Sequence, residues 1–144
     1  MMKFEVRRVK FEGERGKIPA ITLAIGAVVM KSDLPDRTFA FAELIVRLCV
    51  VLESSGRVSS SLANQVLRSG TSIGANVEEA QSAESKRDFA HKYSIACKEA
   101  RETHYWLRLL AASGVVAEDR LTPLTAEANE LVAILTSIVK KSKE

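Results

Sequence analysis

Beyond Met30, apolar side chains recur every three or four residues over long stretches of the chain, which is the spacing of one face of an α-helix. Residues that end helices interrupt this pattern near Gly56, near Ser82 and at Gly114. No part of the chain after Met30 shows the alternation of apolar and polar residues that is typical of a strand. The pattern therefore predicts an all-α fold with four helices.

Capping residues locate the ends of these helices. Asp36 follows a proline and is a suitable N-cap for the first helix, and Ser85 is a suitable N-cap for the third. Thr122 followed by Pro123 is predicted to begin the fourth helix, because proline is favoured in the first helical position. Four long helices with short connections predict an up-down-up-down bundle. The predicted helices cover about residues 36–54, 59–82, 85–113 and 122–140.

Residues 1–30 differ in composition from the rest of the chain. A basic stretch, residues 1–17, precedes the almost wholly apolar residues 18–30. Four interpretations are open: a cleaved signal peptide, a membrane-spanning helix, upstream sequence read in frame before a natural start at Met30, and a β-hairpin-like extension. The basic part is long for a signal peptide, and the apolar run has 13 residues, whereas a membrane span needs about 20. We expect an atypical N-terminal extension, with a misassigned start as the leading interpretation, and a bundle domain over residues 31–144.

The formal net charge of +3 comes from residues 1–30, which contain six basic and three acidic residues. The other 15 basic and 15 acidic residues cancel, so the overall charge does not by itself indicate a nucleic-acid-binding protein. Cys49 and Cys97 lie in apolar helical surroundings, and two cysteines form neither a disulfide framework nor a zinc pattern. We therefore expect free thiols in a reducing compartment, which indicates the cytoplasm.

Two features of the helices indicate close packing and self-association. Gly70 and Gly74 lie one turn apart in the second helix, where glycine costs about 1 kcal/mol relative to alanine, so we expect a neighbouring helix to approach there. Ala96 and Ala100 of the third helix are the expected complement. The first helix is apolar around nearly its whole circumference, which predicts that its surplus apolar face is covered. A second copy of the chain is the simplest cover, and the N-terminal segment is the alternative.

A row of mainly basic and polar side chains follows one face of the third helix. Its members recur every three or four residues, and four of them are cations. Such a row suits contacts with RNA phosphates, with a tyrosine available for stacking. The alternative is an ordinary solvated face, in which Glu84 pairs with Arg87 and Lys98 pairs with Glu102. We call this row the basic stripe, and it consists of Arg87, His91, Ser94, Lys98, Arg101, Tyr105 and Arg108.

The carboxylates and histidines form no recognisable catalytic pattern. A di-iron site in a bundle needs Glu-x-x-His on two helices, whereas this chain has Glu99-x-x-Glu102 and no Glu-x-x-His. His91 and His104 are the two histidines, and neither belongs to a nucleophile-and-base pair that spacing would reveal. We therefore expect no metal, no cofactor and no enzymatic activity. A metalloenzyme would instead contain stoichiometric iron or manganese.

Several motifs between Gln65 and Gly114 resemble those of a known family. They are an arginine, Ser-Ile-x-Ala-Asn, a glutamate, Ser-Lys-x-Asp-Phe, and Lys-Glu-Ala-x-Glu-Thr-x-Tyr-Trp-Leu. Over about residues 31–141 the chain resembles the bacterial four-helix-bundle family of 23S rRNA intervening-sequence proteins. The accessory variability determinant of diversity-generating retroelements is similar in fold. The residues that carry the resemblance are Arg68, Ser72, Ile73, Ala75, Asn76, Glu79, Ser85, Asp88, Phe89, Lys98, Glu99, Ala100, Glu102, Thr103, Tyr105, Trp106 and Leu107.

The resemblance implies a bundle that assembles into a ring, usually a pentamer, and it does not imply an enzyme. It also implies binding of structured RNA, or of a reverse transcriptase with its RNA in the retroelement branch. We expect a cytoplasmic homo-oligomer, without a membrane segment, that binds RNA through the basic stripe. A protein–protein adaptor or scaffold without a nucleic-acid ligand is the alternative. Structural roles in the core, in a subunit contact or between the second and third helices are expected for Arg68, Asn76, Glu79, Glu102 and Trp106.

Overall fold

The computed structural model of the protein describes residues 33–144, and four α-helices cover most of them. No strand occurs in this part of the chain, and none of its helices is long and apolar enough to cross a membrane. The prediction of an all-α fold with four helices is therefore confirmed for residues 33–144. The expectations for residues 1–30 lie outside the described residues. Helix α1 is Leu34–Ser55, α2 is Ser60–Gln81, α3 is Lys86–Ala112 and α4 is Glu118–Ser142.

Side-chain caps and one glycine define several of the helix ends as predicted. The Ser59 hydroxyl accepts a hydrogen bond from the backbone N of Leu62 at 3.2 Å, and the Ser85 hydroxyl accepts one from the backbone N of Asp88 at 3.0 Å. Each of these bonds satisfies an N–H group that has no partner within its helix. Gly56 follows α1 with a φ of 66°, which is the left-handed conformation that glycine adopts at a helix C-terminus.

The prediction that Asp36 caps the first helix is wrong by about one turn. Asp33 is the N-cap, because its Oδ1 accepts a hydrogen bond from the backbone N of Asp36 at 3.0 Å. Pro35 lies in the first turn of α1, where a missing N–H group costs no helical hydrogen bond. The helix therefore begins before this proline and not after it.

The start of the fourth helix also differs from the prediction. Helix α4 begins at Glu118, and Thr122 is inside it, where its hydroxyl donates to the carbonyl oxygen of Glu118 at 2.8 Å. Pro123 consequently lies within the helix and not at its first position. Leu121 is only 2% exposed, so the additional turn buries an apolar side chain in the core. Acidic Glu118 and Asp119 in the first turn also interact favourably with the helix dipole.

Each helix packs against the next helix along the chain, and one apolar core runs through all four. Arg37 of α1 reaches across to α4, where its guanidinium donates two hydrogen bonds to the Glu127 carboxylate at 2.6 and 2.9 Å. Glu127 is 4% exposed, and its hydrogen bond with Arg37 raises the pKa of the guanidinium. This pair therefore connects the first helix to the last. Fully buried core side chains from the four helices include Phe41, Ile45, Ile73, Leu107, Leu124 and Leu131.

The glycines of α2 allow a close approach of α1. A Cβ atom at Gly70 would lie 2.7 Å from Cγ2 of Ile45, and one at Gly74 would lie 3.2 Å from a backbone carbonyl oxygen of α1. The prediction of close packing at these glycines is confirmed, but α3 was the wrong partner. Helix α3 contacts another face of α2, where the Thr103 hydroxyl donates to the Ser69 hydroxyl at 3.0 Å.

The outer face of α1 exposes apolar side chains. Phe39 is 67% exposed, Val46 is 43% exposed and Val50 is 55% exposed. Glu43 and Arg47 form an ion pair one helical turn apart on the same helix. We call Phe39, Val46 and Val50 the apolar α1 face. Its exposure agrees with the surplus apolar surface expected of the first helix, but nothing covers it among residues 33–144.

The contact at Gly70 predicts that alanine at this position destabilises the protein, although alanine is normally favoured over glycine inside a helix. Gly70→Ala should lower the free energy of unfolding by about 1–3 kcal/mol, because overpacking against Ile45 outweighs the helix-propensity gain of about 1 kcal/mol. Chemical denaturation monitored by circular dichroism measures the change. In an Ile45→Ala background the same substitution should be much less costly, since the nearest clashing atoms are absent. A Gly70→Ala protein as stable as the wild type would contradict the close approach.

Candidate nucleic-acid interface

The basic stripe lies on the surface of α3. The side chains predicted to contact nucleic acid are all exposed, whereas Ser94 within the row is half-buried. Tyr105 is 51% exposed, which is unusual for so large an aromatic side chain. The helical spacing places the cations on one side of α3 over about 30 Å, from the rise of 1.5 Å per residue. The exposed residues are Arg87, His91, Lys98, Arg101, Tyr105 and Arg108.

The cations of the stripe have no ion-pair partner among residues 33–144. The pairs that an ordinary solvated face would contain, Glu84 with Arg87 and Lys98 with Glu102, do not form. Arg101 donates a long hydrogen bond to a neutral group, the hydroxyl of Thr136 on α4, at 3.5 Å. Within residues 33–144 the stripe therefore presents four cations without an ion-pair partner, and a row of such cations attracts anions.

Two carboxylates, Glu79 and Glu102, form ion pairs across the junction between α2 and α3. Arg68 Nη2 donates to Oε1 of Glu102 at 3.1 Å, and Lys92 donates to the Glu79 carboxylate at 2.6 Å. Glu102 is thus held toward α2, although it lies only one turn from Lys98 of the stripe. Glu79 pairs with Lys92 and not with Arg68. These contacts separate the acidic side chains from the row of cations.

The same junction orients the aromatic ring of the stripe. Trp106 Nε1 donates to Oε1 of Glu102 at 3.2 Å, so this oxygen accepts from both Arg68 and Trp106. The rings of Trp106 and Tyr105 then meet edge to face, with centroids 5.1 Å apart. A chain of contacts therefore runs from Arg68 on α2 to the exposed ring of Tyr105.

Comparison with known proteins identifies the family. A family model described as 23S rRNA-intervening sequence protein matches residues 31–137. The chain belongs to this family. It is also similar to a solved structure from Bacteroides thetaiotaomicron, described as a protein with unknown function from the S23 ribosomal protein family. The two are 39% identical with a TM-score of 0.71, over 75% of this chain and 99% of the other. Among curated proteins, none matches the chain.

For this member of the 23S rRNA-intervening sequence family, the motif residues fall largely at the junction of α2 and α3. Asn76 is half-buried, and its amide donates to the backbone oxygen of Ser72 at 2.8 Å, so it stabilises its own helix. Trp106 packs partly against the core while its indole N–H reaches Glu102. Thr103 donates to Ser69 across the junction. Arg68, Glu102 and Thr103 are thus the motif residues that connect α2 with α3 along this junction.

Partial burial shifts the pKa values of Glu99 and His104 on α3. Partial burial raises the pKa of Glu99, the neighbouring Glu102 carboxylate raises it further, and Arg68 opposes both effects. One Glu99 oxygen is buried without a hydrogen-bond partner. Partial burial also lowers the pKa of His104, and the positive charge of Arg108 lowers it further. His104 is therefore a neutral imidazole near neutral pH, with one nitrogen able to accept a hydrogen bond.

Cys49 and Cys97 are buried free thiols. Cys49 is buried and lies 3.5 Å from the carbonyl oxygen of Ala63, and burial raises the pKa of its thiol to about 11. Such a thiol is not ionised near neutral pH and is therefore unreactive. Within residues 33–144 no three His, Cys, Asp or Glu side chains gather where they could hold a metal ion.

Helix α4 contributes to this surface in a way that the sequence analysis missed. Arg101 contacts Thr136, and a groove between the end of α3 and the start of α4 is lined by Tyr105, Arg108 and Asn129 among others. The missing information was the register of α4 beside α3. Asn129 and Thr136 are seven residues apart, which places them on one face of a helix, and this spacing was the available signal.

Proposed function

We propose that this protein is a non-enzymatic helical bundle that binds structured RNA through the basic stripe on α3. The observation that carries the proposal is that Arg87, Lys98, Arg101 and Arg108 are exposed without any ion-pair partner among residues 33–144. RNA phosphates would supply the missing negative charges, and Tyr105 would stack on a base. The description of the family, which refers to 23S rRNA, is consistent with such a ligand.

The proposal includes an up-down-up-down arrangement of the helices and assembly of the bundles into a ring, with a pentamer as the expected size. The support is the apolar α1 face, which a second copy of the chain would cover. A ring would repeat the basic stripe in every subunit. Several weak phosphate contacts per subunit would then act together on one RNA molecule.

A protein–protein adaptor is the second candidate, and the apolar α1 face favours it. If a different protein covers Phe39, Val46 and Val50, the bundle would recruit that partner without binding nucleic acid. The resemblance noted above makes a reverse transcriptase one such partner. Salt-dependent binding of RNA distinguishes the two candidates, because phosphate binding weakens steeply as the salt concentration rises.

Removing three cations of the stripe tests the RNA proposal. Lys98→Gln, Arg101→Gln and Arg108→Gln together should lower the affinity for a stem–loop RNA by at least about tenfold. They should also reduce the dependence of log K on log salt concentration by about three, since each phosphate contact contributes close to one. The RNA is obtained by crosslinking and sequencing from the native host, and binding is measured by filter retention over a range of salt concentrations.

Two controls separate position from overall charge. A variant with Lys98→Arg, Arg101→Lys and Arg108→Lys keeps the charges of the stripe and should retain most of the affinity. Substitution of Arg57 and Arg120 by glutamine removes exposed charges outside the stripe and should have little effect. Unchanged binding by the triple glutamine variant would exclude the stripe as the RNA site. Absence of salt-dependent RNA binding by the wild type would favour the adaptor.

Charges placed on the apolar α1 face test self-association. Val46→Glu with Val50→Glu should convert an oligomer into a monomer of unchanged helicity, because carboxylates in an apolar contact are costly to desolvate. Sedimentation velocity and circular dichroism measure the two properties. Asn64→Glu, at an exposed position of α2, is the matched control and should leave the oligomer intact. A wild type that is monomeric at every concentration, or an oligomer that survives the valine substitutions, would contradict self-association through this face.

A further inference from the structure

The basic stripe leads into a groove between the end of α3 and the start of α4. We call it the α3–α4 groove. Its volume is about 720 Å³, which is within the range of pockets that hold small organic groups. The groove extends along α4 from Glu118 to Asn129, or about 16 Å at the helical rise of 1.5 Å per residue. It is therefore long enough for one nucleotide and its neighbouring phosphates.

Tyr105 provides a flat surface at one end of this groove. The ring lines the groove and is 51% exposed. An edge-to-face contact with Trp106, which donates a hydrogen bond to Glu102, favours one orientation of the ring. A ring held in this way loses little conformational freedom when a base stacks on it. Stacking of a base on an aromatic side chain does not require a particular base.

The polar groups of the groove match the rest of a nucleotide. Arg108 lines the groove, carries a positive charge and has no ion-pair partner among residues 33–144, so it can contact a phosphate. His104, held neutral by burial and by Arg108, can donate or accept a hydrogen bond. From α4, Asn129 and Thr125 add an amide and a hydroxyl. Bases that are unpaired expose edges that such groups can bind.

The distribution of charge within the groove favours a nucleotide over a free anion. Arg108 lines the groove from α3, and Arg101 of the stripe lies about two turns before it along the same helix. Glu118, in the first turn of α4, also lines the groove. A small anion would be repelled by Glu118, whereas the amino group of a base would donate a hydrogen bond to it.

We propose that the α3–α4 groove binds one unpaired nucleotide of the RNA, with its base on Tyr105 and its phosphate at Arg108. This inference rests on the proposed RNA-binding function and adds to it. The stripe contacts the phosphates of a helical stem, which any sequence provides. The groove then requires a bulged or looped nucleotide at the end of that stem, so the protein recognises the shape of the RNA.

The test uses two hairpin RNAs with the same stem. One carries a single bulged nucleotide, replaced by a fluorescent adenine analogue, and the other is fully paired. The full-length wild type should bind the bulged hairpin about tenfold more tightly and should quench the analogue, since stacking is worth about 1–3 kcal/mol per base. Tyr105→Ala should remove this preference and the quenching, whereas Tyr105→Phe should keep both. Because Tyr105 is half-exposed, neither substitution should unfold the bundle.

A variant of the stripe distinguishes the two proposals. Lys98→Gln lies outside the groove and should weaken binding of both hairpins by the same factor. If the wild type binds both hairpins equally in a salt-dependent manner, the groove proposal fails and the stripe proposal stands. If Tyr105→Ala weakens both hairpins equally, the groove proposal also fails. If the wild type binds neither hairpin at any salt concentration, both proposals fail.

Discussion

The ion pair between Arg68 and Glu102 keeps the Glu102 carboxylate from pairing with Lys98 on the surface of α3. Glu102 is one helical turn from Lys98, and in an isolated helix the two would attract each other. In the bundle, α2 presents Arg68 instead, and Trp106 donates a second hydrogen bond to the same oxygen. Lys98 therefore keeps its charge exposed and unpaired among residues 33–144. One contact between helices thus leaves Lys98 available as a cation of the stripe, in a domain whose 15 basic and 15 acidic residues balance.

The position of Arg68 depends in turn on how α2 is held. Gly70 and Gly74 let α1 approach on one side of α2, and α3 packs on another. Arg37 and Glu127 then connect α1 to α4, so the helix that carries Arg68 is fixed by the whole bundle. The largely buried pair of Arg37 and Glu127 is costly to break, because removal of either partner would leave the other as an unpaired charge. The basic stripe is consequently a property of the fold and not of α3 alone.

The sequence was sufficient to predict four helices, the start of the second helix near Ser59, the cap at Ser85 and the row of cations on α3. These features depend on spacing and capping within one segment. The start of α4 was mispredicted, because the burial of Leu121 against other helices outweighed the local preference of Pro123 for a first turn. The α3–α4 groove could not be predicted either, since it requires the register between two helices. Spacing along one helix contains no information about that register.

The proposed function requires that RNA contacts α3 along the basic stripe. Ultraviolet crosslinking of the bound RNA, followed by mass spectrometry of the crosslinked peptides, identifies the contacting side chains directly. The proposed arrangement predicts crosslinks at Tyr105 and on peptides between Arg87 and Arg108. Crosslinks confined to α1 or to residues 1–32, with none on α3, would contradict it.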